Sequence, residues 1–220
     1  TYALTDEMFV RVTARAESAE KAAALCAPVV KDLRRRLGEF CYGVDVESLE
    51  DAVVRLLAER RLTVATAESC TGGLLAKRIT DIAGASGVFH MGVVTYANEI
   101  KTKLLGVPED MLAQHGAVSP QVARRMAEGV RENAGASLGV GITGIAGPDG
   151  GTQEKPVGLV YICLCDGENA WVRRMGAAPG KSRGWIRHMA SSNALDMIRR
   201  RVLNLGGMET AAYSHERGMR

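Results

Sequence analysis

The sequence is poor in aromatic residues, with three Phe, five Tyr and two Trp among 220 residues. So few rings give nucleobases little to stack on. Charge of one sign is also lacking: 28 Lys and Arg against 25 Asp and Glu leave a formal net charge of +3. That near-balance argues against adhesion to a phosphate backbone, and no direct nucleic-acid binding is expected. No apolar run reaches the roughly 18–20 residues that cross a bilayer, and no basic-then-apolar leader opens the chain, so no membrane role is expected. Thr1 stands where an initiator Met is expected, and the chain reads as a processed or excised piece. Cysteine is present without a pattern. Cys26, Cys41, Cys70, Cys163 and Cys165 are odd in number and form no CxxC. This is the usage of reduced core residues in a cytoplasmic protein rather than of a disulfide framework. His90, His115, His188 and His215 show no ligand spacing to one another or to the cysteines. Neither a metal nor another cofactor is expected.

What remains is an ordinary globular composition, 46% hydrophobic and 24% charged. Its length suits one full domain plus an appendage. Over residues 9–16, Val10, Val12 and Ala14 alternate with Arg11, Thr13 and Arg15, which predicts a half-buried strand. Ser18 then caps a helix running to Leu37 with a kink at Pro28, and residues 41–44 return as a short strand. This β-α-β piece, residues 1–45, is too small to hold a large core and reads as a satellite of another domain. The main body, residues 46–205, opens with Ser48 and Asp51 arranged like a capping box ahead of Leu49, Val53, Leu56 and Leu57. Strands are predicted over 62–67, 88–96, 138–142, 155–165 and 170–175. Helices are predicted over 72–82 and 98–105, from Ser119-Pro120 to Asn133, and from Ser182 to Leu203. The polar segment 206–220 is expected to be a flexible tail. Mixed strands and helices predict a layered α/β domain.

Three segments carry residues fit for chemistry. In Ala67-Glu68-Ser69-Cys70-Thr71-Gly72-Gly73, a hydroxyl sits where a strand gives way to a helix. Unpaired N–H groups there could hold a phosphate or an oxyanion. Equally, Ser69 could be a plain N-cap and the glycines mere packing aids. Around Tyr96, Asn98 would cap a helix and place Lys101 at its third position, near the positive helix end. That location, with partial burial, disfavours the ammonium and suits a general base for a serine. The alternative leaves Lys101 and Lys103 as solvated charges. The third segment, from Gly139 to Thr152, is a glycine-rich stretch after a strand that fits neither the dinucleotide nor the P-loop pattern. Either a ligand or another segment approaches its backbone closely, or it is a flexible connection.

Four stretches, AESCTGGLLAKRIT, GVVTYANEIKTKLLGV, GAVSPQVARRMAEGV and GITGIAGPDGGTQEKPVGLVY, resemble in order the C-terminal domain of the CinA family. The resemblance covers residues 48–203, and the piece before it is similar to the end of the middle domain that precedes this module in longer family members. It implies a three-layer α/β/α fold and, since the family includes nicotinamide mononucleotide deamidases, a Ser–Lys–Tyr amidohydrolase. Carried over motif by motif, the nucleophile is Ser69, the tyrosine Tyr96 and the lysine Lys101. A family arginine falls on Arg183, although the family more often has Gly-Asp-Arg where this chain has Gly-Lys-Ser-Arg.

On that reading neutral Lys101, with Tyr96 relaying or orienting, takes the Ser69 proton as the hydroxyl attacks the carboxamide. The N–H groups of Thr71, Gly72 and Gly73 are candidates for the oxyanion. Arg183 and the loop carrying Thr143, Gly144 and Gly147 are candidates for the substrate phosphate. The resemblance further implies a homodimer. Two rival readings stand beside it: a non-catalytic nucleotide-binding or regulatory module, and an interaction module linked to competence or DNA damage.

Overall fold

A computed structural model describes residues 1–3 and 7–209, so residues 210–220 of the expected tail, His215 among them, lie outside the described residues. The chain divides into two compact units, Thr1–Glu47 and Ser48 onward.

In the first unit, α1 (Ala19–Leu37) begins as expected, the Ser18 hydroxyl accepting the Lys21 N–H at 3.3 Å. The strand expected over 9–16 is not formed. Only β2 (Met8–Phe9) is a strand, pairing antiparallel with β1 (Tyr2–Ala3). Beyond it Val12 and Ala14 are half-buried while Arg11, Thr13 and Arg15 are exposed, the expected faces, and Val10 alone departs by being exposed. A strand exists only with a ladder partner, and here the partner is two residues long. Residues 41–44 form no strand either. No described residue of this unit is fully buried.

The second unit runs α2 (Leu49–Arg60), β3 (Val64–Glu68), α3 (Leu74–Thr80), β4 (Phe89–Val94), α4 (Asn98–Leu105), α5 (Glu109–His115), α6 (Pro120–Ala134), β5 (Leu138–Gly144), β6 (Val160–Cys165), β7 (Ala170–Met175) and α7 (Arg183–Val202). The five strands form one sheet in the order β4-β3-β5-β6-β7. The first three are parallel, and β6 and β7 continue antiparallel. Three serine caps read from the sequence are made here: Ser48, Ser119 and Ser182 each accept an N–H three residues on. The short α5 carries no periodic signal and was not expected.

Alternation along β3 and β5 sends neighbouring side chains to opposite faces. Ala65 and Ala67 pack with Leu105, Val122, Met126 and Val130 of the α4–α6 layer. Beside them in register stand Gly139 and Gly141. A Cβ on Gly139 would come within 2.2 Å of Ala127 O, and one on Gly141 within 2.3 Å of Ala123 O. These two glycines therefore bring α6 down onto the sheet, which answers what approaches the backbone of the glycine-rich stretch. On the other face α2, α3 and α7 pack against one another and the sheet. The result is the three-layer α/β/α fold. After α7 the chain is held rather than free. Arg173, wholly buried, donates to Gly207 O and Met208 O, and Arg200 donates to Gly206 O. At the start of the expected tail, residues 206–208 thus lend their carbonyls to buried guanidinium groups.

From the carboxyl end of β3 the chain turns toward β4, and from that of its other neighbour β5 toward β6. Adjacent parallel strands whose connections diverge leave a crevice at their carboxyl ends.

Candidate active site

The ladder continues one residue past the end of β3 and of β4. Ser69 N–H donates to Ile142 O at 2.9 Å, and Thr95 N–H donates to Glu68 O at 2.9 Å. Ser69 is therefore fixed by a neighbouring strand, not by a helix. Next comes a turn closed by Gly72 N–H on Ser69 O at 3.0 Å. Gly72 (φ +58°) and Gly73 (φ +88°) both lie in the left-handed region, where glycine alone is unstrained. This turn delays α3 to Leu74, two residues later than expected, and leaves Ser69 out of the cap. Glu68 caps α3 instead. Its carboxylate accepts Leu75 N–H at 3.1 Å and Ala76 N–H at 2.8 Å. A buried anion thus occupies the positive end of α3 and closes that end to a substrate phosphate. The Gly72 N–H is likewise committed to the turn, so of the three candidates for an oxyanion those of Thr71 and Gly73 remain.

Lys101 reaches the same place from α4. Ala97 holds the cap position and Asn98 is the first helical residue, so Lys101 is fourth in the helix rather than third. Its side chain is 1% exposed. The amine lies 3.3 Å from Ser69 Oγ, and donates to Thr95 O at 2.8 Å and Tyr96 O at 3.1 Å. Burial holds its pKa below the usual lysine range, with the neighbouring Cys70 side chain a smaller opposing influence. The shift arises from burial and not from the helix end, because the dipole fades after the first turn. Lys103 is exposed. Cys70, next to Ser69, is buried, and that burial pushes its thiol up to about 12.

Tyr96 enters twice. Its carbonyl holds the Lys101 amine, whereas its exposed phenol oxygen accepts from Arg183 Nη2 at 3.2 Å. Among the described residues the phenol bonds to neither Ser69 nor Lys101. Arg183, the first residue of α7, also donates from Nη1 to Gly147 O at 2.8 Å. The loops after β4 and β5 are joined through this guanidinium. Gly144 ends β5, and Thr143, 1% exposed, gives its hydroxyl hydrogen to Ala117 O at 2.8 Å. Thr143 can therefore offer a ligand only its oxygen lone pairs. Sequence reasoning missed Arg187, one turn past Arg183, whose Nε and Nη2 both reach Thr71 O, at 3.1 and 2.6 Å. The i,i+4 spacing of the two arginines was the available signal. Neither guanidinium has a carboxylate partner among the described residues, so the crevice carries uncompensated positive charge suited to an anionic substrate. Among the described residues, no three His, Cys, Asp or Glu side chains gather to hold a metal ion. No described helix is long and apolar enough to cross a membrane.

Comparison with known proteins agrees with this architecture. The CinA C-terminal domain matches residues 46–202, and the damage-inducible protein CinA KH domain matches residues 1–43. A CinA-like protein of Desulfovibrio desulfuricans is 60% identical over 206 residues, which are 93% of this chain and 48% of that protein. Another CinA-like protein, from Geobacter sulfurreducens, is 50% identical over 194 residues, 88% of this chain and 46% of its own length. The chain thus spans about half the length of the curated relatives it matches. Among solved structures, the competence/damage inducible protein CihA from Agrobacterium tumefaciens superposes with a TM-score of 0.67 at 41% identity, covering 71% of this chain and 94% of that one. With one domain matched over residues 46–202 and relatives this similar across nearly the full sequence, the chain belongs to the CinA family.

Proposed function

We propose that this chain is a Ser–Lys amidohydrolase that converts nicotinamide mononucleotide to nicotinate mononucleotide and ammonia, a step of pyridine nucleotide salvage. The observation that carries the reading is the buried amine of Lys101 against Ser69. A neutral amine has two N–H bonds and one lone pair. Thr95 O and Tyr96 O accept the two hydrogens, which turns the lone pair toward the Ser69 hydroxyl. Burial supports the neutral form.

Ser69 Oγ attacks the carboxamide carbon while its proton passes to Lys101 Nζ. The N–H groups of Thr71 and Gly73 receive the oxyanion of the tetrahedral intermediate. Collapse breaks the C–N bond, and the proton on Lys101 leaves with the nitrogen as ammonia. Water then attacks the acyl-enzyme, giving one proton to Lys101, which returns it to Ser69 as the acid is released. Arg183 and the exposed ring of Tyr96 line the entrance for the nucleotide's phosphate and pyridine.

Incubation with nicotinamide mononucleotide, assayed for ammonia and the acid after exhaustive treatment with EDTA, tests the reading. Turnover is expected to survive chelation, to vanish in Ser69→Ala with nucleotide binding retained, and to persist in Cys70→Ala, whose thiol burial keeps protonated. Near-normal turnover by a folded Ser69→Ala protein would sink the nucleophile assignment. Binding by the wild type without release of ammonia would leave only a nucleotide-binding module.

A further inference from the structure

The turn that follows Ser69 has little reason of its own to hold one shape. Two consecutive left-handed glycines are the least constrained backbone available, and only two short-range hydrogen bonds close it, Gly72 N–H to Ser69 O at 3.0 Å and Leu74 N–H to Thr71 O at 3.2 Å. Yet an oxyanion site works only if its donors are fixed before charge develops. Two outside groups supply the fixing. Glu68 anchors the far side through the first turn of α3. On the near side stands Arg187, half-buried, with Nε and Nη2 converging on the one oxygen of Thr71 at 3.1 and 2.6 Å.

We propose that Arg187 is a positioning residue for the reaction: by holding Thr71 O it sets the plane of the Thr71–Gly72 peptide and so aims the flanking N–H groups of Thr71 and Gly73 at the oxyanion. The inference rests on the Ser69–Lys101 reading of the site and adds to it a residue that touches no reacting atom. In a trans peptide the carbonyl and the following N–H point in opposite directions. Arg187 on Thr71 O and Ser69 O on the Gly72 N–H therefore grip one peptide unit from its two edges. The planar fork matters. Both donors come from one rigid group, so they fix direction as well as distance, which a lysine ammonium cannot do. Arg187 has no carboxylate partner among the described residues, and its charge reaches the adjacent Cys70 thiol as that of Arg183 does, against a larger opposing influence of Glu68. Arg183, by contrast, lies on Gly147 O and the Tyr96 phenol, on the side where substrate enters. One helix thus carries two arginines with separate duties, Arg183 for substrate and Arg187 for the turn.

The test compares wild type, Arg187→Met and Arg187→Lys by steady-state kinetics with nicotinamide mononucleotide and by amide hydrogen exchange at Gly72, with thermal melting to confirm the fold. Arg187→Met is expected to lower kcat roughly 10²-fold with KM little changed, the penalty of a misplaced reacting group. The Gly72 amide should exchange faster, and Arg187→Lys should recover only part of either loss. An increase in KM at unchanged kcat would make Arg187 a substrate anchor and overturn the proposal. Unaltered Gly72 exchange in a folded Arg187→Met protein would overturn it too. If the wild type itself releases no ammonia, the amidase reading falls, and the exchange measurement alone decides whether Arg187 holds the turn.

Discussion

Replacing Lys101 with Met removes the amine and keeps most of the side-chain volume, so it probes charge and hydrogen bonding more than packing. Loss of a general base removes about 10²–10⁴-fold in rate. The effect on stability has two parts of opposite sign. Thr95 O and Tyr96 O lose the donor that satisfies them, at about 1–3 kcal/mol for each carbonyl left buried and unpaired. Against this, the fold no longer has to hold an amine away from water. That second part depends on pH. The folded pKa of Lys101 lies below the roughly 10.4 of a free lysine. Between the two values the unfolded chain binds a proton that the folded chain does not, so wild-type stability rises with pH across that interval. Below the folded value the full penalty of the buried ammonium is present, and above the unfolded value it is gone. The Met variant lacks this slope, so the wild-type urea midpoint should rise relative to that of the variant as pH rises toward 10. Activity should follow the same group: wild-type kcat increases with pH through the lowered pKa, and Lys101→Met is inactive throughout. Lys103→Met, altered at an exposed position, should keep wild-type kinetics. The reasoning is refuted if Lys101→Met retains the wild-type rate and pH profile, or if Lys103→Met is the dead variant.

Tyr96→Phe removes the phenol that accepts from Arg183 but keeps the carbonyl that accepts from Lys101. We expect KM to rise about five-fold, for one hydrogen bond of about 1 kcal/mol, with the pH dependence of kcat unmoved; a displaced pH limb would return the phenol to the proton path. Gly141→Ala drives a methyl to within 2.3 Å of Ala123 O beneath α6. Overpacking of this kind should lower stability by about 1–3 kcal/mol in urea unfolding, and an unchanged midpoint would mean that α6 does not press on β5 as described.

Most elements of the second unit were legible because each signal is local. Serine caps, apolar periodicity and the Pro at the first position of α6 depend on a few neighbouring residues, and the structure bears them out. The residues around the site obey longer-range rules. Ser69 before two glycines reads like a cap, but the glycines make a turn of their own, and Glu68 reaches around it to the helix. The lysine was selected correctly as buried, yet its burial comes from tertiary packing and not from its place on α4. Arg183 and Arg187 lie far along the chain from the loops they bind, so no window around Thr71 or Gly147 contains them. In the first unit the alternation over 9–16 is real, but alternation alone does not make a strand where the ladder has no continuation. The family motifs located Ser69, Tyr96 and Lys101 without saying what each touches, and the double use of Tyr96 is visible only in three dimensions.

The first turns of α7 tie the loops that follow β3, β4 and β5, through Arg187 to the first and Arg183 to the other two. Helix ends open locally at a fraction of the free energy of global unfolding. When this end opens, all three loops lose these ties together while the sheet and the buried body of α7 stay intact. The proposed catalytic arrangement thus depends on one helix terminus for a tie to each of its three loops. The guard of that terminus is Ser182, whose hydroxyl accepts the Trp185 N–H at 3.2 Å. Ser182 is exposed, and its loss would weaken the cap on which all three ties rest without removing any residue of the proposed site.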